Sequence, residues 1–308
     1  MNAPESAPAP LQTVLGELLR AVSFRAEVFF RGKMCDDWAL DTSGKGFTTF
    51  HAIGAGGCWL HLRSLPAPKR LEPGDVVILP HDHQHSITPT PDTTPVYGGK
   101  RYTTVLPLAA EAPGVELLCG YIHMPPTAHD LLMAAVPDHL VAGRGDPQGQ
   151  QMGRLADALF EEARQQSPAA TAVVEKLADA LLVKTFEIGV AGLPEPAGFY
   201  AGLAHPRIGR AIAAAWAEPA RPWTVGTLAE VAAMSRSTFA EHFVRLVGKS
   251  PMDVITAWRM QLARTALERG RVSVADVAQQ VGYEAEAAFR KAFKRHFGVA
   301  PGHWRRRL

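Results

Sequence analysis

Four histidines carry the first chemical signal in this chain. His81, His83 and His85 alternate in the run Gly74-Asp75-Val76-Val77-Ile78-Leu79-Pro80-His81-Asp82-His83-Gln84-His85, and His51 stands upstream in Phe50-His51-Ala52-Ile53-Gly54. Neutral imidazoles are good ligands for zinc, copper or iron. On an extended segment, alternate side chains point the same way. The run reads as a turn, a buried strand and a polar loop. The same residues also read as surface histidines at 81 and 83 and hydrogen-bonded core histidines at 51 and 85. The three cysteines, Cys35, Cys58 and Cys119, lie far apart and form no CxxC motif, so no disulfide framework or zinc knuckle is expected. Cys35 and Cys119 are candidates for a redox-sensing pair. Asp36 and Asp37 would raise the Cys35 pKa, Leu118 suggests a strand around Cys119, and Cys58 beside Trp59 looks structural.

The second signal is basic. Between Glu286 and Leu308 stand Arg290, Lys291, Lys294, Arg295, Arg305, Arg306 and Arg307 against one acid, Glu286. The whole chain has a net charge of only +2, so this cluster is a local footprint of the kind that attracts phosphates. It lies in an internal repeat. Phe239, Phe243, Gly248 and Pro251 recur as Phe289, Phe293, Gly298 and Pro301, fifty residues on. Upstream, Thr224-Val225 and Leu228-Ala229 recur as Ser273-Val274 and Val277-Ala278, forty-nine residues on. A one-residue shift inside the turn accounts for the mismatch. Each copy starts at an N-cap, Thr224 or Ser273. A short helix follows, then a turn near Met234-Ser235 or Gly282-Tyr283, then a second amphipathic helix. That is helix-turn-helix logic. At about 100° per residue, Phe239, Phe243 and Leu246 share the buried face of the first copy, with Ser237, Thr238, Glu241 and Arg245 opposite. In the second copy Phe289, Phe293 and Phe297 are inward, and Ala287, Arg290, Lys291, Lys294 and Arg295 face out. Arg and Lys on an exposed helix can reach guanine edges or phosphates.

Other elements must position these groups. The chain has 308 residues, 47% of them hydrophobic and 20% charged, an ordinary globular composition. Short apolar runs at Phe47–Ile53, Cys58–Leu62, Val76–Leu79, Tyr102–Leu106 and Val115–Ile122, cut by Gly and Pro, predict a β-sandwich or barrel. Helical spacing takes over at Leu155–Glu162 and Ala172–Glu187, and Gly192–Gly198 reads as a linker. From His205 the pattern is helical to the end, with a long helix Met252–Glu268 joining the two copies. No run approaches transmembrane length. The Pro/Ala-rich start reads as a disordered tail with no signal peptide, and a reducing cytoplasm is expected.

The last hundred residues resemble the AraC/XylS-type DNA-binding domain. The run Gly282-Tyr283-Glu284-Ala285-Glu286-Ala287-Ala288-Phe289-Arg290-Lys291-Ala292-Phe293-Lys294-Arg295, followed by Gly298 and Pro301, carries the likeness. The resemblance implies that two recognition helices enter successive major-groove segments on one face of DNA. Its base-facing positions fall on Ser237, Glu241, Ala287 and Lys291, with Lys291 and Arg290 dominant. Trp258 and Arg259 match the family's linker helix. The Gly74–His85 run resembles the second motif of cupin barrels, with Asp82 where glycine is usual and Pro89 where asparagine is usual. With Cys35-Asp36-Asp37-Trp38, Gly57-Cys58-Trp59-Leu60 and Leu118-Cys119-Gly120-Tyr121, it looks like the cupin-type sensor of one AraC-family branch. The first cupin motif, with its paired histidine and glutamate, is not found intact; the resemblance makes His51 its remnant, which should face the barrel interior with His85. The missing acid and asparagine argue against a catalytic iron cupin.

The expected architecture is therefore α+β and multidomain. It comprises a tail at 1–10, a cupin-like barrel at 11–130, a helical connector and dimerisation segment at 131–198, and an all-α domain with two helix-turn-helix units at 199–308. The expected function is a one-component transcriptional regulator that binds promoter DNA, not an enzyme, working as a homodimer with RNA polymerase; the family resemblance favours activation. Its effector is a small molecule, metal ion or oxidant. The effector or metal residues are His51, His83 and His85, and the redox pair is Cys35 and Cys119. No cofactor is fixed, a divalent metal in the barrel being the candidate. The alternative is a metal-dependent cupin enzyme fused to a DNA-binding domain.

Overall fold

The computed structural model describes residues 15–16, 19, 25–124, 129, 133, 136–145, 149–165, 167–193, 197–268 and 272–305. The expected tail at 1–10, the prolines of the expected linker (Pro194 and Pro196) and the basic Arg306 and Arg307 lie outside the described residues. Two compact units result, one built on residues 24–124 and 136–193, the other on 194–308.

The first unit is one curled antiparallel sheet, a half-barrel whose strands run β4-β3-β6-β1-β8-β2-β5-β9, with β7 also paired to β1. The strands are β1 Arg25–Leu40, β2 Thr48–Ile53, β3 Cys58–Leu62, β4 Lys69–Leu71, β5 Val76–Leu79, β6 His85–Thr88, β7 Lys100–Leu106, β8 Val115–His123 and β9 Leu140–Ala142. The sixteen-residue β1 is the spine. It pairs with β8 from Arg25 to Met34 and with β7 from Lys33 to Leu40, the β7 ladder shifting register between Cys35 and Trp38. Asp36 has φ 61° at that shift. Such a bulge bends a strand and strengthens its twist, which lets one strand serve both halves of the curl. Trp38, Ile53, Leu60, Val77, Leu79, Leu117 and Cys119 fill the interior with their neighbours.

All six residues of β2 are buried, the mark of a strand covered on both faces. Its partner in the ladder opposite Phe50 is Gly120. A Cβ there would come within 2.3 Å of the Phe50 ring, so only glycine admits that ring. Two helices complete the unit, α1 Gly149–Ala163 and α2 Pro168–Ala191. The α2 helix packs on β1, β5 and β9, and its Asp179 accepts the Ala26 amide at 2.7 Å. Arg164, just past α1, reaches the buried Glu116 of β8 at 2.6 Å, and Lys33 of β1 lies 3.6 Å from the same carboxylate. Both helices bury apolar residues, Leu159 and Phe160 in α1 and Val174, Leu181 and Leu182 in α2 among them.

The second unit contains α3 Gly198–Ala204, α4 Pro206–Ala217, α5 Val225–Val231, α6 Arg236–Val247, α7 Pro251–Glu268, α8 Val274–Gln280, α9 Glu286–Phe297 and α10 Pro301–Arg305. The repeat is realised element by element. Both short helices begin with a reciprocal capping box, Thr224 with Thr227 and Ser273 with Asp276, which satisfies two orphan amides at each start. Both turns hold a left-handed residue, Ala233 at φ 51° and Gly282 at φ 79°. These stand forty-nine residues apart, like the caps. The second helices begin at Arg236 and Glu286, fifty apart. The extra residue therefore lies between Tyr283 and Glu286. Both second helices end on a left-handed glycine, Gly248 and Gly298.

Candidate nucleic-acid interface and barrel site

The second helix of each repeat unit has two faces. In α6, Phe239 and Phe243 are buried and Val247 completes the stripe. Leu246, expected inward, is only half-buried, because the inward row runs i, i+4, i+8 and not i, i+4, i+7. In α9, Phe289 and Phe293 are fully buried. Phe297 is half-buried and packs on Trp304, 5.3 Å between ring centroids. The residues expected on the outer faces are all exposed: Ser237, Thr238, Glu241 and Arg245 in α6, and Ala287, Arg290, Lys291, Lys294 and Arg295 in α9.

Their electrostatics differ. Arg290 is held by Glu286 one turn back at 2.5 Å, so its charge is partly spent within the helix. Lys291, Lys294 and Arg295 have no carboxylate partner among the described residues. In α6 the Ser235 N-cap gathers the hydroxyls of Ser237 and Thr238 at 3.2 and 2.8 Å. The two helices thus present unlike surfaces, a hydroxyl-lined start with one arginine in the last turn and a cationic stripe. Arg236, exposed at the start of α6, is a further cation that the face count did not single out.

In the barrel unit, the expected trio of histidines separates. His81 donates from Nε2 to the Val136 carbonyl oxygen, 2.9 Å away. His83 is exposed and pairs with Asp138 at 3.1 Å. Only His85 turns inward. The reason is Asp82, at φ 53°, which breaks the extended geometry that alternation requires. Its carboxylate accepts the amides of Gly44 and Gly46. His83 therefore does not join His51 and His85, and the residue that stands beside them is Thr42. His51 and His85 are fully buried with their Nε2 atoms 3.2 Å apart. The Thr42 hydroxyl stands 3.3 Å from the first and 3.0 Å from the second.

His85 Nδ1 faces the His83 carbonyl oxygen at 2.9 Å. A carbonyl only accepts, so Nδ1 carries the proton and Nε2 offers its lone pair. Both rings are held below the usual histidine pKa, first of all by desolvation. In His51 the neighbouring His85 adds to the depression. In His85 the His83 carbonyl, Asp41 and Asp82 pull the other way without winning. The pair is neutral at pH 7.

Two imidazoles and a hydroxyl do not make a closed divalent-metal site, which takes three or four protein ligands. No cluster of three or more His, Cys, Asp or Glu is placed to hold a metal among the described residues. Thr42 also lines a surface cleft of about 620 Å³, with Phe29, Phe30, Tyr102 and Tyr121 as walls and Lys45 and Lys100 at its edge. Thr42 is common to the cleft and the histidine pair.

The cysteines are not brought together. Cys119 lies opposite Phe30 on β1, and Cys35 is five residues further along that strand, roughly 16 Å at the strand rise. Burial pushes the Cys119 thiol above its ordinary range and the Cys58 thiol up to about 12. Cys35 is buried, with its sulfur 3.3 Å from the Pro113 carbonyl oxygen. All three are buried, whereas oxidant chemistry needs an exposed sulfur.

Comparison with known proteins gives the same division. A cupin family model matches residues 13–186, and a helix-turn-helix domain model matches residues 228–307. A putative AraC-like transcription regulator of Streptomyces lividans is 31% identical over 301 residues, 96% of this chain and 98% of that protein. An HTH-type transcriptional regulator of Haemophilus influenzae is 28% identical over 300 residues, 95% of this chain and 98% of that one. Among solved structures, the DNA-binding domain of AdpA in complex with a target DNA is similar at 33% identity, covering 32% of this chain and 87% of that one, with a TM-score of 0.31.

Two outcomes follow. Lys291→Ala and Arg295→Ala should each weaken duplex binding and lower the salt slope by about 0.9 for each phosphate no longer neutralised, while Glu286→Gln, which frees Arg290, should steepen it. Unchanged affinity and slope in both alanine variants contradict the assignment of α9. For the histidine pair, the folded chain refuses a proton that the unfolded chain takes up below the ordinary value of 6.5. Stability should therefore fall as the pH is lowered through the ordinary value of 6.5 and on towards the lowered folded value, read as a lower urea midpoint, and His51→Gln should flatten that fall. A wild-type midpoint that holds constant across this window contradicts the neutral pair.

Proposed function

We propose, from the premise that this chain belongs to the AraC-like helix-turn-helix transcription regulators, that its cupin domain senses a small-molecule effector and so controls promoter binding. Two helix-turn-helix units bind the DNA. The observation that carries the sensing half is Thr42, which faces the surface cleft with one side and the buried His51–His85 pair with the other. A ligand that takes the Thr42 hydrogen bond changes which imidazole that hydroxyl serves, and so acts on the strands β2 and β6 that carry them. An effector must bind one conformation better than the other to change DNA affinity, and a hydroxyl shared between ligand and core supplies such a difference.

We further read the protein as an activator that engages RNA polymerase, acting as a homodimer in the cytoplasm. No helix is long and apolar enough to cross a membrane among the described residues. We do not propose catalysis in the barrel, since the acid and asparagine that a cupin iron site would use are absent from the matching positions, and the donors that do converge are too few for a divalent metal. An oxidant effector is less well supported than a ligand, given the burial of all three thiols.

Elemental mass spectrometry of the purified chain, beside His85→Ala, separates the readings. We expect no stoichiometric metal in either. Near-stoichiometric metal that disappears in His85→Ala would contradict the small-molecule reading and make the barrel a metal sensor or a metal-dependent cupin enzyme.

A further inference from the structure

The two helix-turn-helix units meet at a joint that has Arg259 at its centre. Arg259 lies on α7, the helix that both units share. Its Nε donates to the Pro219 carbonyl oxygen at 2.8 Å and its Nη2 to the Arg221 carbonyl oxygen at 2.7 Å. Those carbonyls belong to the loop that enters α5, five and three residues before its Thr224 cap. The same guanidinium lies against the turn of the second unit. A Cβ placed on Gly282 would stand 2.8 Å from Arg259 Nη2, 2.8 Å from the Ala220 carbonyl oxygen and 3.0 Å from the Pro219 carbonyl oxygen. The first unit's entry loop therefore touches the second unit's left-handed turn residue, with the guanidinium wedged between them.

Both sides of this joint are stiff. In the entry loop the Trp223 indole donates to the Glu218 carbonyl oxygen at 2.9 Å, and the Arg221 guanidinium lies over the Trp223 ring at 4.3 Å. In the turn, Tyr283 follows Gly282, and its amide donates to the Ala278 carbonyl oxygen at 2.9 Å. The Tyr283 ring meets Phe289 of α9, 5.7 Å between centroids. A rigid path thus runs from the start of α5, through a planar two-donor fork, to the recognition helix α9. Each unit has its own aromatic core. The second is closed by Met260, Leu267, Val277, Phe289 and Phe293 with their neighbours.

We infer that the Arg259–Gly282 joint is the positioning device that sets the spacing between the two DNA elements this protein reads. The inference rests on the DNA-binding reading above and deepens it. One base pair of added spacing moves the second element by about 3.4 Å and turns it by ~35° around the duplex. A stiff joint rejects that change and a loose one accommodates it. Arg259 touches no DNA in this account. It acts through the two carbonyls it fixes, and lysine cannot replace it because a single ammonium lacks the planar fork.

The test uses the full chain. A pool of duplexes with a randomised centre is enriched on the wild type, which yields the two elements and their spacing. Affinity is then measured on duplexes with that spacing, with one base pair added or removed, and on each element alone. The wild type should lose at least about tenfold in affinity when the spacing changes, on the scale of one mismatched base pair. Arg259→Lys should keep the affinity for single elements while that discrimination falls to about twofold or less. Gly282→Ala, which forces the turn off the carbonyls, should shift the preferred spacing or flatten it as well. Full discrimination retained in both variants overturns the proposal. So does an equal loss on single and paired elements, which marks a general defect of the fold. A pool that enriches nothing contradicts the DNA-binding reading itself, and the proposal falls with it.

Discussion

A helix can read a groove only if its opposite face is held by the rest of the protein. Phe239 and Phe243 hold α6, and Phe289 and Phe293 hold α9. Each pair sits one turn apart, so the anchored stripe is narrow and half of each helix is fully exposed. Truncating one such ring would cost about 3–5 kcal/mol, a large fraction of a domain's stability. Everything outward depends on those rings: the hydroxyl-lined start of α6, the cationic stripe of α9, and the angle between the two helices. Small residues allow the close crossing of the short helices, as Ala229 and Ala278 occupy equivalent buried positions on α5 and α8.

The barrel unit solves a different problem. It buries polar groups at its centre, and burial of a polar atom is costly unless it is paired. Thr42, His51 and His85 pair with one another, and the His83 carbonyl completes the set for His85. His51 Nδ1 is left without a hydrogen-bond partner among the described residues. A group like this is expensive to keep, and a sensing role gives a reason to keep it. The long β1 contributes here too, since Leu40 ends it and Asp41 and Thr42 follow directly into the cleft.

Much of this was legible in the residues. The five apolar runs became β2, β3, β5, β7 and β8 with small changes at their ends, and the repeat placed both helix-turn-helix units. The recognition faces were legible because phenylalanine recurs at helical spacing. Other features left no local signal. The strand β1 mixes charged and apolar residues, and its bulge at Asp36 breaks any simple alternation. The alternation of His81, His83 and His85 suggested a shared face, but a left-handed residue at Asp82 cannot be read from composition. Thr42 was missed because it meets His51 and His85 only through the curl of the sheet. The joint at Arg259 was invisible for a similar reason, since it links carbonyl oxygens to a glycine and no side-chain pattern marks either.

The central claim is that both helix-turn-helix units engage one duplex together, with α6 and α9 in successive major-groove segments. Hydroxyl-radical footprinting of the full chain on an enriched duplex tests it most directly. The account predicts two protected patches on one face of the DNA, centred about one helical turn apart. A single patch confined to one element would contradict it, because one recognition helix would then be doing the reading alone.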